Sequence, residues 1–318
     1  MSKNKTPNFF VVGAAKSGTT TLYNFLEQHH EVYMSPIKEP HHFCKDITIE
    51  NFSDEYKHYL STRNVNLSEY LKTDLTKKIW EWYIKDYDQY LQLFKNVKEE
   101  KMIGEISNGY LFSKVSAAEI YKTYPQAKIV MILRNPVERA YSHYLANVRD
   151  GRTTLSFKEE VLYDMNKKRK GWCISHCYIE MGMYYEQVKR FIDIFPNAQI
   201  KIYLNDNLRE NASALGKDLF NFINVDDQTS VDFNQKQNEA RMPKSAGLIK
   251  FITQTGIKRK IFRALPLKMQ EKIKPLFFKE GHVPSISAED RAWLIEIFRE
   301  DILKTQTLIG RDLSSWLK

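Results

Sequence analysis

Apolar and polar residues alternate in two ways over about the first 225 residues of the chain. Short runs rich in Val, Ile, Phe and Leu predict buried strands at residues 8–13, 31–34, 102–106, 128–133 and 199–204. The segments between these runs are longer, and several of them place apolar residues at helical spacing. Strands that alternate with helices in this way predict an α/β fold, in which helices flank a central parallel sheet.

Two of the predicted helices follow directly from apolar spacing. Residues 20–28 place Leu22, Phe25 and Leu26 on one helical face. Residues 118–124 predict another helix, which ends at a proline-containing turn before the fourth strand. Both segments therefore connect predicted strands of the same sheet.

The pattern changes after the α/β part, which we expect to form a core over about residues 8–225 of a single domain spanning 1–318. A polar linker at 225–241 precedes a helical and basic part over about residues 240–318. Ser287, followed three residues later by Asp290, predicts the start of a last long helix.

Residues 257–280 form the most basic stretch of the chain, with eight Lys or Arg and two Glu. Such a stretch is typical of a solvated helical face over the core. The alternative is peripheral contact with an anionic acceptor or with an anionic membrane surface. The sequence indicates no oligomeric state.

Composition narrows the class of protein further. The chain has 42% apolar and 27% charged residues, values typical of a globular protein with a sizeable core. Its 48 Lys and Arg against 39 Asp and Glu give a net charge of +9, which favours anionic ligands. The first apolar run, at residues 9–15, is bounded by Lys16 and reads as a strand rather than a secretion signal. We therefore expect a soluble, cytoplasmic protein.

The cysteine count agrees with a reducing compartment. The chain has three cysteines, Cys44, Cys173 and Cys177, and this small, odd number does not suit a disulfide framework. Cys173 and Cys177 flank His176, an arrangement that could suggest a metal site. The close pairing of zinc ligands is missing, so the sequence favours buried free thiols and no metal.

The first strand is followed at once by a loop that opens a helix, with the sequence Gly13-Ala14-Ala15-Lys16-Ser17-Gly18-Thr19-Thr20. Glycines let backbone amides approach an anion, and the helix start adds unpaired N–H groups and a positive dipole end. The spacing matches the Walker A pattern, except that Thr19 stands where the lysine belongs and Lys16 lies inside the loop. The predicted phosphate contacts are Lys16, Ser17, Gly18, Thr19 and Thr20.

A second anion site is predicted at the end of the fourth strand. Arg134 ends that strand, at the edge of an α/β sheet where ligands bind. Asn135 is a good N-cap, Pro136 suits the first helical position, and Glu138 would complete a capping box. Ser142 lies off the apolar stripe of the helix that follows and eight residues after Arg134.

These two segments together resemble the sulfotransferase family that uses 3′-phosphoadenosine 5′-phosphosulfate. Residues 37–43, with Glu39, Pro40 and His41, are similar to a stretch of its carbohydrate and heparan-sulfate-type branch. Segments 101–110, 182–207 and 310–313 also resemble bacterial members, so the likeness covers most of the chain. The resemblance implies a P-loop-like sulfotransferase fold in a soluble bacterial protein.

The resemblance also implies roles for the residues that match its motifs. The strand-helix loop would hold the 5′-phosphosulfate, and Arg134 with Ser142 would hold the 3′-phosphate of the donor and of the product adenosine 3′,5′-bisphosphate. Glu39 would be the catalytic base, Lys16 would stabilise the leaving phosphate, and His41 would orient Glu39, contact the acceptor or serve as the base. His42 and Glu105 are further candidates, and Arg241, in a stretch similar to a nucleotide-covering loop, would lie near the 3′-phosphate.

Two positions depart from the heparan-sulfate branch. Cys44 stands where that branch has an aspartate, and Ile106 stands where a lysine usually follows the glutamate of the third predicted strand. Both departures point away from a heparan-like acceptor. Variable loops near residues 43–86 and 151–177 would set the acceptor. The sequence leaves open whether this acceptor is a carbohydrate, a lipid or a small molecule, and whether it is sulfated on oxygen or on nitrogen.

Two other functions remain open at this point. A P-loop kinase would need a magnesium ligand, for which Asp206 after the fifth strand is the candidate. A basic nucleic-acid-binding protein could use residues 257–280, although the sequence holds no recognisable nucleic-acid-reading motif and we expect no nucleic-acid partner.

Overall fold

The computed structural model describes residues 6–61, 66–168, 176–234, 242–245, 247, 249, 278–279 and 284–318. Its strands are β1 (Phe9–Gly13), β2 (Val32–Met34), β3 (Ile37–Lys38), β4 (Ile79–Trp80), β5 (Met102–Ile106), β6 (Lys128–Leu133), β7 (Ile200–Leu204), β8 (Met242–Pro243) and β9 (Phe278–Lys279). The helices are α1 (Thr19–Glu27), α2 (Asp54–Ser61), α3 (Leu67–Lys72), α4 (Tyr87–Leu91), α5 (Gly109–Phe112), α6 (Ser116–Thr123), α7 (Pro136–Asp150), α8 (Phe157–Met165), α9 (Tyr184–Ile192), α10 (Asn205–Glu210), α11 (Ala212–Phe222) and α12 (Ala288–Ile309).

The predicted α/β fold with a central parallel sheet is confirmed. Five described strands form the main sheet in the order β2-β5-β1-β6-β7, and each neighbouring pair runs parallel. They are the five strands that the apolar runs predicted, with β5 and β6 at the predicted bounds and the others one residue shorter. The sequence did not predict β3 and β4, which pair over only two residues.

Alternate residues of the central strands pack on opposite faces of this sheet. Phe10 and Val12 of β1 face one core, to which α12 contributes Phe298, whereas Phe9 and Val11 face the core beneath α1 and α11. Burial on both faces explains why β1 reads as a continuous apolar run.

The start of α7 is capped largely as predicted. The side chain of Asn135 accepts hydrogen bonds from the amides of Val137 and Glu138, at 3.0 and 3.5 Å, and Pro136 is the first helical residue. The predicted capping box is wrong, because the Glu138 carboxylate turns to the guanidinium groups of Arg134 and Arg291 instead.

The C-terminal helix begins where the sequence predicted. Ser287 accepts a hydrogen bond from the amide of Asp290 at 3.0 Å, and α12 then packs against α7 and α9. In the described part of the chain no helix has the length and apolar character needed to cross a membrane. Apart from Phe278 and Lys279, the basic stretch 257–280 lies outside the described residues.

Candidate active site

The loop between β1 and α1 has the backbone geometry of an anion cradle. Lys16 and Gly18 both adopt left-handed conformations, with φ of 65° and 108°. A side chain on Gly18 would also collide with Leu208, because an added Cβ would lie 2.7 Å from its Cδ2. Glycine is therefore required at this position. Thr19 and Thr20 are the first residues of α1, where backbone N–H groups are unpaired.

Three neighbouring elements hold this loop in place. The Ala14 amide donates to the carbonyl of Ile132 in β6 at 2.7 Å. The side chain of Asn205, at the end of β7, donates to the Ser17 carbonyl at 2.8 Å, and Arg134 donates to the Lys16 carbonyl at 3.1 Å. Because protein donors already occupy these carbonyls, the loop offers an incoming anion a preset backbone.

Lys16 lies in a region of positive potential. Its side chain is half-buried, and desolvation lowers its pKa to about 8. The charges of Arg149, Arg134 and Lys38 contribute to this lowering of the pKa, and the charge of Asp150 opposes it. A bound phosphate or sulfate would supply the negative charge that such a group of cations favours.

Arg134 connects the two predicted anion sites. Its guanidinium reaches the Lys16 carbonyl, and its own carbonyl accepts a hydrogen bond from the Tyr184 hydroxyl at 3.0 Å. Glu138 lies 3.7 Å from Arg134 Nη2. Within the described residues the buried Nε of Arg134 has no hydrogen-bond partner, so the guanidinium has unused donor capacity.

Ser142 lies two turns further along α7 than the helix start. It is half-buried, and its hydroxyl makes no hydrogen bond within the ranges that the structure describes. Arg241 lies outside the described residues, so its predicted place near the 3′-phosphate stays a prediction.

Glu39 follows β3 directly and is held by its backbone and by its side chain. Its φ of 68° is left-handed, a conformation that costs energy for a non-glycine residue. The Glu39 amide donates to the Ile106 carbonyl at 2.7 Å, and the Glu39 carbonyl accepts from the Trp82 amide at 2.8 Å. Lys38 Nζ and Asn108 Nδ2 both donate to Glu39 Oε1, at 2.7 and 2.8 Å.

His41 lies against the same carboxylate. Its Nε2 is 3.5 Å from Glu39 Oε2, and its ring stacks on Tyr83 with 4.8 Å between ring centroids. The His41 amide donates to the hydroxyl of Ser107 at 3.1 Å, and the backbone again has a positive φ, of 51°. Glu39 and His41 thus lie within ion-pair distance of each other, which is longer than a typical hydrogen bond.

Glu105 and His42, the two further candidates, make contacts inside the protein. Glu105 is fully buried and accepts hydrogen bonds from the hydroxyls of Tyr90, Ser107 and Tyr110, while burial raises its pKa to about 7. His42 contacts the Ile84 carbonyl through Nδ1, and burial lowers its pKa. Glu105 therefore supports the site through Ser107, which in turn holds the His41 backbone.

The predicted acceptor segments meet beside the loop. Phe52 and Tyr56 from the first segment pack with Cys177 and Met181 near Ala15. Cys177 is a buried cysteine, and Cys173 lies outside the described residues.

Asp206 is the magnesium ligand that a kinase would need. Asp206 accepts a hydrogen bond from the indole of Trp316 at 3.4 Å. No group of three or more His, Cys, Asp or Glu that could hold a metal ion occurs among the residues that the structure describes.

Sequence reasoning missed three polar residues of the site, namely Lys38, Asn108 and Asn205. Asn108 and Asn205 each come within two residues of the carboxyl end of a parallel strand. The rule that ligands bind at this edge of an open sheet would have found both. Lys38 had no such signal, because a lysine beside a glutamate usually indicates solvent exposure.

Comparison with known proteins gives a consistent result. The model of a family described as the sulfotransferase family matches residues 7–173. The crystal structure of a sulfotransferase from Alicyclobacillus acidocaldarius is similar over 98% of this chain and 99% of that chain, with 29% sequence identity and a TM-score of 0.70.

Curated relatives include human carbohydrate sulfotransferase 15, which is 24% identical over 283 residues, covering 76% of this chain and 48% of that protein. Human bifunctional heparan sulfate N-deacetylase/N-sulfotransferase 2 is 23% identical, with 100% of this chain and 32% of that protein covered. The chain thus spans less than half the length of these relatives. Three findings agree, namely the family match over more than half of the chain, the fold shared with the bacterial protein and the loop that begins at Gly13. This chain therefore belongs to the sulfotransferase family.

Proposed function

We propose that this protein transfers a sulfuryl group from 3′-phosphoadenosine 5′-phosphosulfate to a hydroxyl or amino group of an acceptor. One arrangement carries the proposal. Lys38 contacts Glu39 at 2.7 Å, and its charge also lowers the pKa of Lys16. A base and a cation for a leaving phosphate therefore share one site, as transfer between two oxygen atoms needs.

The residues fit a donor that carries two separate phosphates. The loop with Lys16 would receive the 5′-phosphosulfate at the start of α1, where backbone amides and two threonine hydroxyls converge. Arg134, with unused donor capacity, and Ser142 would receive the 3′-phosphate. All of these contacts go directly from protein to phosphate oxygens, so we expect no metal ion in donor binding.

The proposed reaction is an in-line displacement at sulfur. The acceptor oxygen or nitrogen forms a bond to sulfur as its proton passes to the Glu39 carboxylate. The bond between sulfur and the bridging oxygen breaks, and its electron pair stays on the 5′-phosphate of adenosine 3′,5′-bisphosphate. The Lys16 ammonium, with Thr19 and Thr20, stabilises the charge that grows on this oxygen.

The acceptor is proposed only as a chemical class, namely a sugar, lipid or small molecule with a hydroxyl or amine. The names of the carbohydrate relatives favour a sugar. The ring of Trp80 is exposed and lies 5.5 Å from Lys38 Nζ, the neighbour of Glu39, so it suits stacking on a sugar face. A cytoplasmic location and contact of residues 257–280 with an anionic surface stay predictions.

The first test is binding of adenosine 3′,5′-bisphosphate in the presence of EDTA. We expect unchanged affinity on chelation, because Arg134 and the loop address the phosphates without a metal. Isothermal titration calorimetry with and without magnesium measures this. Loss of binding on chelation, together with tighter binding of ATP, would instead support a kinase.

Removal of the Arg134 guanidinium should weaken this binding. We expect Arg134→Ala to cost about 1.5 to 3 kcal/mol of binding free energy, the scale for losing a hydrogen bond to a charged partner. Arg299→Ala, which removes an exposed guanidinium paired with Glu296 on α12, is the matched control and should leave the affinity unchanged. Equal affinities of the two variants would move the 3′-phosphate to another part of the protein.

A further inference from the structure

Lys38 is a buried lysine inside the candidate active site. Its side chain is only 5% exposed, although lysine is rarely buried unless it is paired. Its Nζ lies 2.7 Å from Glu39 Oε1 and 5.5 Å from the centroid of the Trp80 ring. The β3–β4 ladder sets this position, because Lys38 pairs with Trp80 in register and its carbonyl accepts from the Glu81 amide at 2.6 Å.

Glu39 and Glu105 are two enclosed carboxylates of the same site with different partners. Three hydroxyls, which are neutral donors, contact the Glu105 carboxylate, and burial raises the pKa of Glu105 to about 7. Glu39 is also largely enclosed, with a side chain 14% exposed, but a lysine ammonium contacts it. An opposite charge at this distance favours the ionised carboxylate, whereas hydroxyl donors alone do not offset desolvation at Glu105.

The described charged and titratable groups around Glu39 come from β3, from the loop after β3 and from β5. Lys38 belongs to β3 and donates to Oε1, and His41 follows two residues later, 3.5 Å from Oε2. Glu105 of β5 and the Cys44 thiol each feel the negative charge of Glu39, which raises the pKa of both. Lys38 thus brings a positive charge into direct contact with Oε1, while His41 faces Oε2.

We infer that Lys38 is a positioning residue, which keeps Glu39 ionised at neutral pH and holds Oε1 so that Oε2 takes the acceptor proton. This inference rests on the proposed role of Glu39 as the base. Asn108 donates to the same oxygen and fixes its direction, but it carries no charge. Lys38 therefore supplies the electrostatic part of the arrangement, and Asn108 supplies a geometric part.

The ionisation of Glu39 can be measured without an acceptor. Infrared difference spectra between the wild type and Glu39→Gln isolate the carboxyl band of Glu39, and its intensity over a pH series gives the titration midpoint. The same difference is then measured in a Lys38→Met background, which keeps the length of the side chain and removes the charge. We expect the midpoint to rise by about one pH unit or more, since a contacting cation is lost.

Lys72→Met is the matched control, because Lys72 is an exposed lysine that pairs with Glu69 at 2.9 Å. It should leave the midpoint at the wild-type value. A midpoint that is equal in the wild type and in Lys38→Met overturns the inference. If Lys38→Met does not fold, Lys38→Gln replaces it, since Gln retains a donor for Oε1 but no charge, and the same rise is required.

Binding of adenosine 3′,5′-bisphosphate, measured by calorimetry on the same variants, separates this inference from the proposed function. We expect Lys38→Met still to bind the nucleotide with a modest loss of affinity, because Lys38 contacts Glu39 and is only one of the charges near Lys16. Failure of the wild type to bind the nucleotide would refute the proposed function, whereas an unchanged infrared midpoint would refute only the role of Lys38.

Discussion

Glu39→Gln is expected to reduce turnover by about 100-fold or more, the scale for loss of a general base. Gln has the size of Glu and can still accept a hydrogen bond from Asn108, so the fold and nucleotide affinity should persist. What is lost is basicity at the atom nearest His41. Turnover is measured with labelled donor and the acceptor that a transfer screen against cell extracts identifies.

Two comparisons make this result interpretable. Glu69→Gln removes the charge of an exposed carboxylate paired with Lys72 and should leave turnover unchanged. His41→Ala should have a milder effect than Glu39→Gln if His41 only orients Glu39 or contacts the acceptor. Near-normal turnover in Glu39→Gln, together with an inactive His41→Ala variant, would assign the base to His41.

Lys16→Ala is expected to lower turnover by about 100- to 1,000-fold, the cost of removing one group that stabilises developing charge. Its effect on donor affinity should be much smaller, because charge on the bridging oxygen grows chiefly in the transition state. Single-turnover rates and calorimetry measure the two effects separately. The exposed Lys72→Ala variant is the control, and a loss confined to donor affinity would assign Lys16 to ground-state binding.

The same lysine predicts a pH dependence. Desolvation lowers the pKa of Lys16 to about 8, so in the free protein the ammonium is present below this value and is lost as the pH rises through it. We therefore expect kcat/KM to fall on the alkaline side with an apparent pKa near this value. Lys16→Ala should lack this decline, and a decline that persists in the variant would have another origin.

Local sequence was enough for the parts of this protein whose physics is local. Continuous apolar runs predicted the five strands of the main sheet, because strands buried on both faces need apolar side chains at every position. Asn135 and Pro136 predicted the start of α7, since capping involves only neighbouring backbone groups. The loop that contains Lys16 and Gly18 was recognisable from its local sequence, although Arg134 and Asn205 hold its backbone in the fold.

Contacts between distant segments were decided only by the tertiary structure. Asn108 reaches Glu39 across 69 residues, and Asn205 reaches Ser17 across 188, because the strand order brings the ends of β5, β1 and β7 to one edge of the sheet. No local pattern encodes this order.

Burial was the second property that the sequence did not reveal. In the sequence, Lys38 stands beside Glu39, which indicates a solvated charge pair. In the fold, Lys38 lies on the two-residue β3–β4 ladder and its side chain is buried. Glu105 likewise reads as a candidate acid, whereas in the fold three hydroxyls surround it and desolvation raises its pKa. The sequence determined which residue types are present and where the strands begin, and packing determined which of their charges are desolvated, because the free energy of a charge depends on all the groups around it.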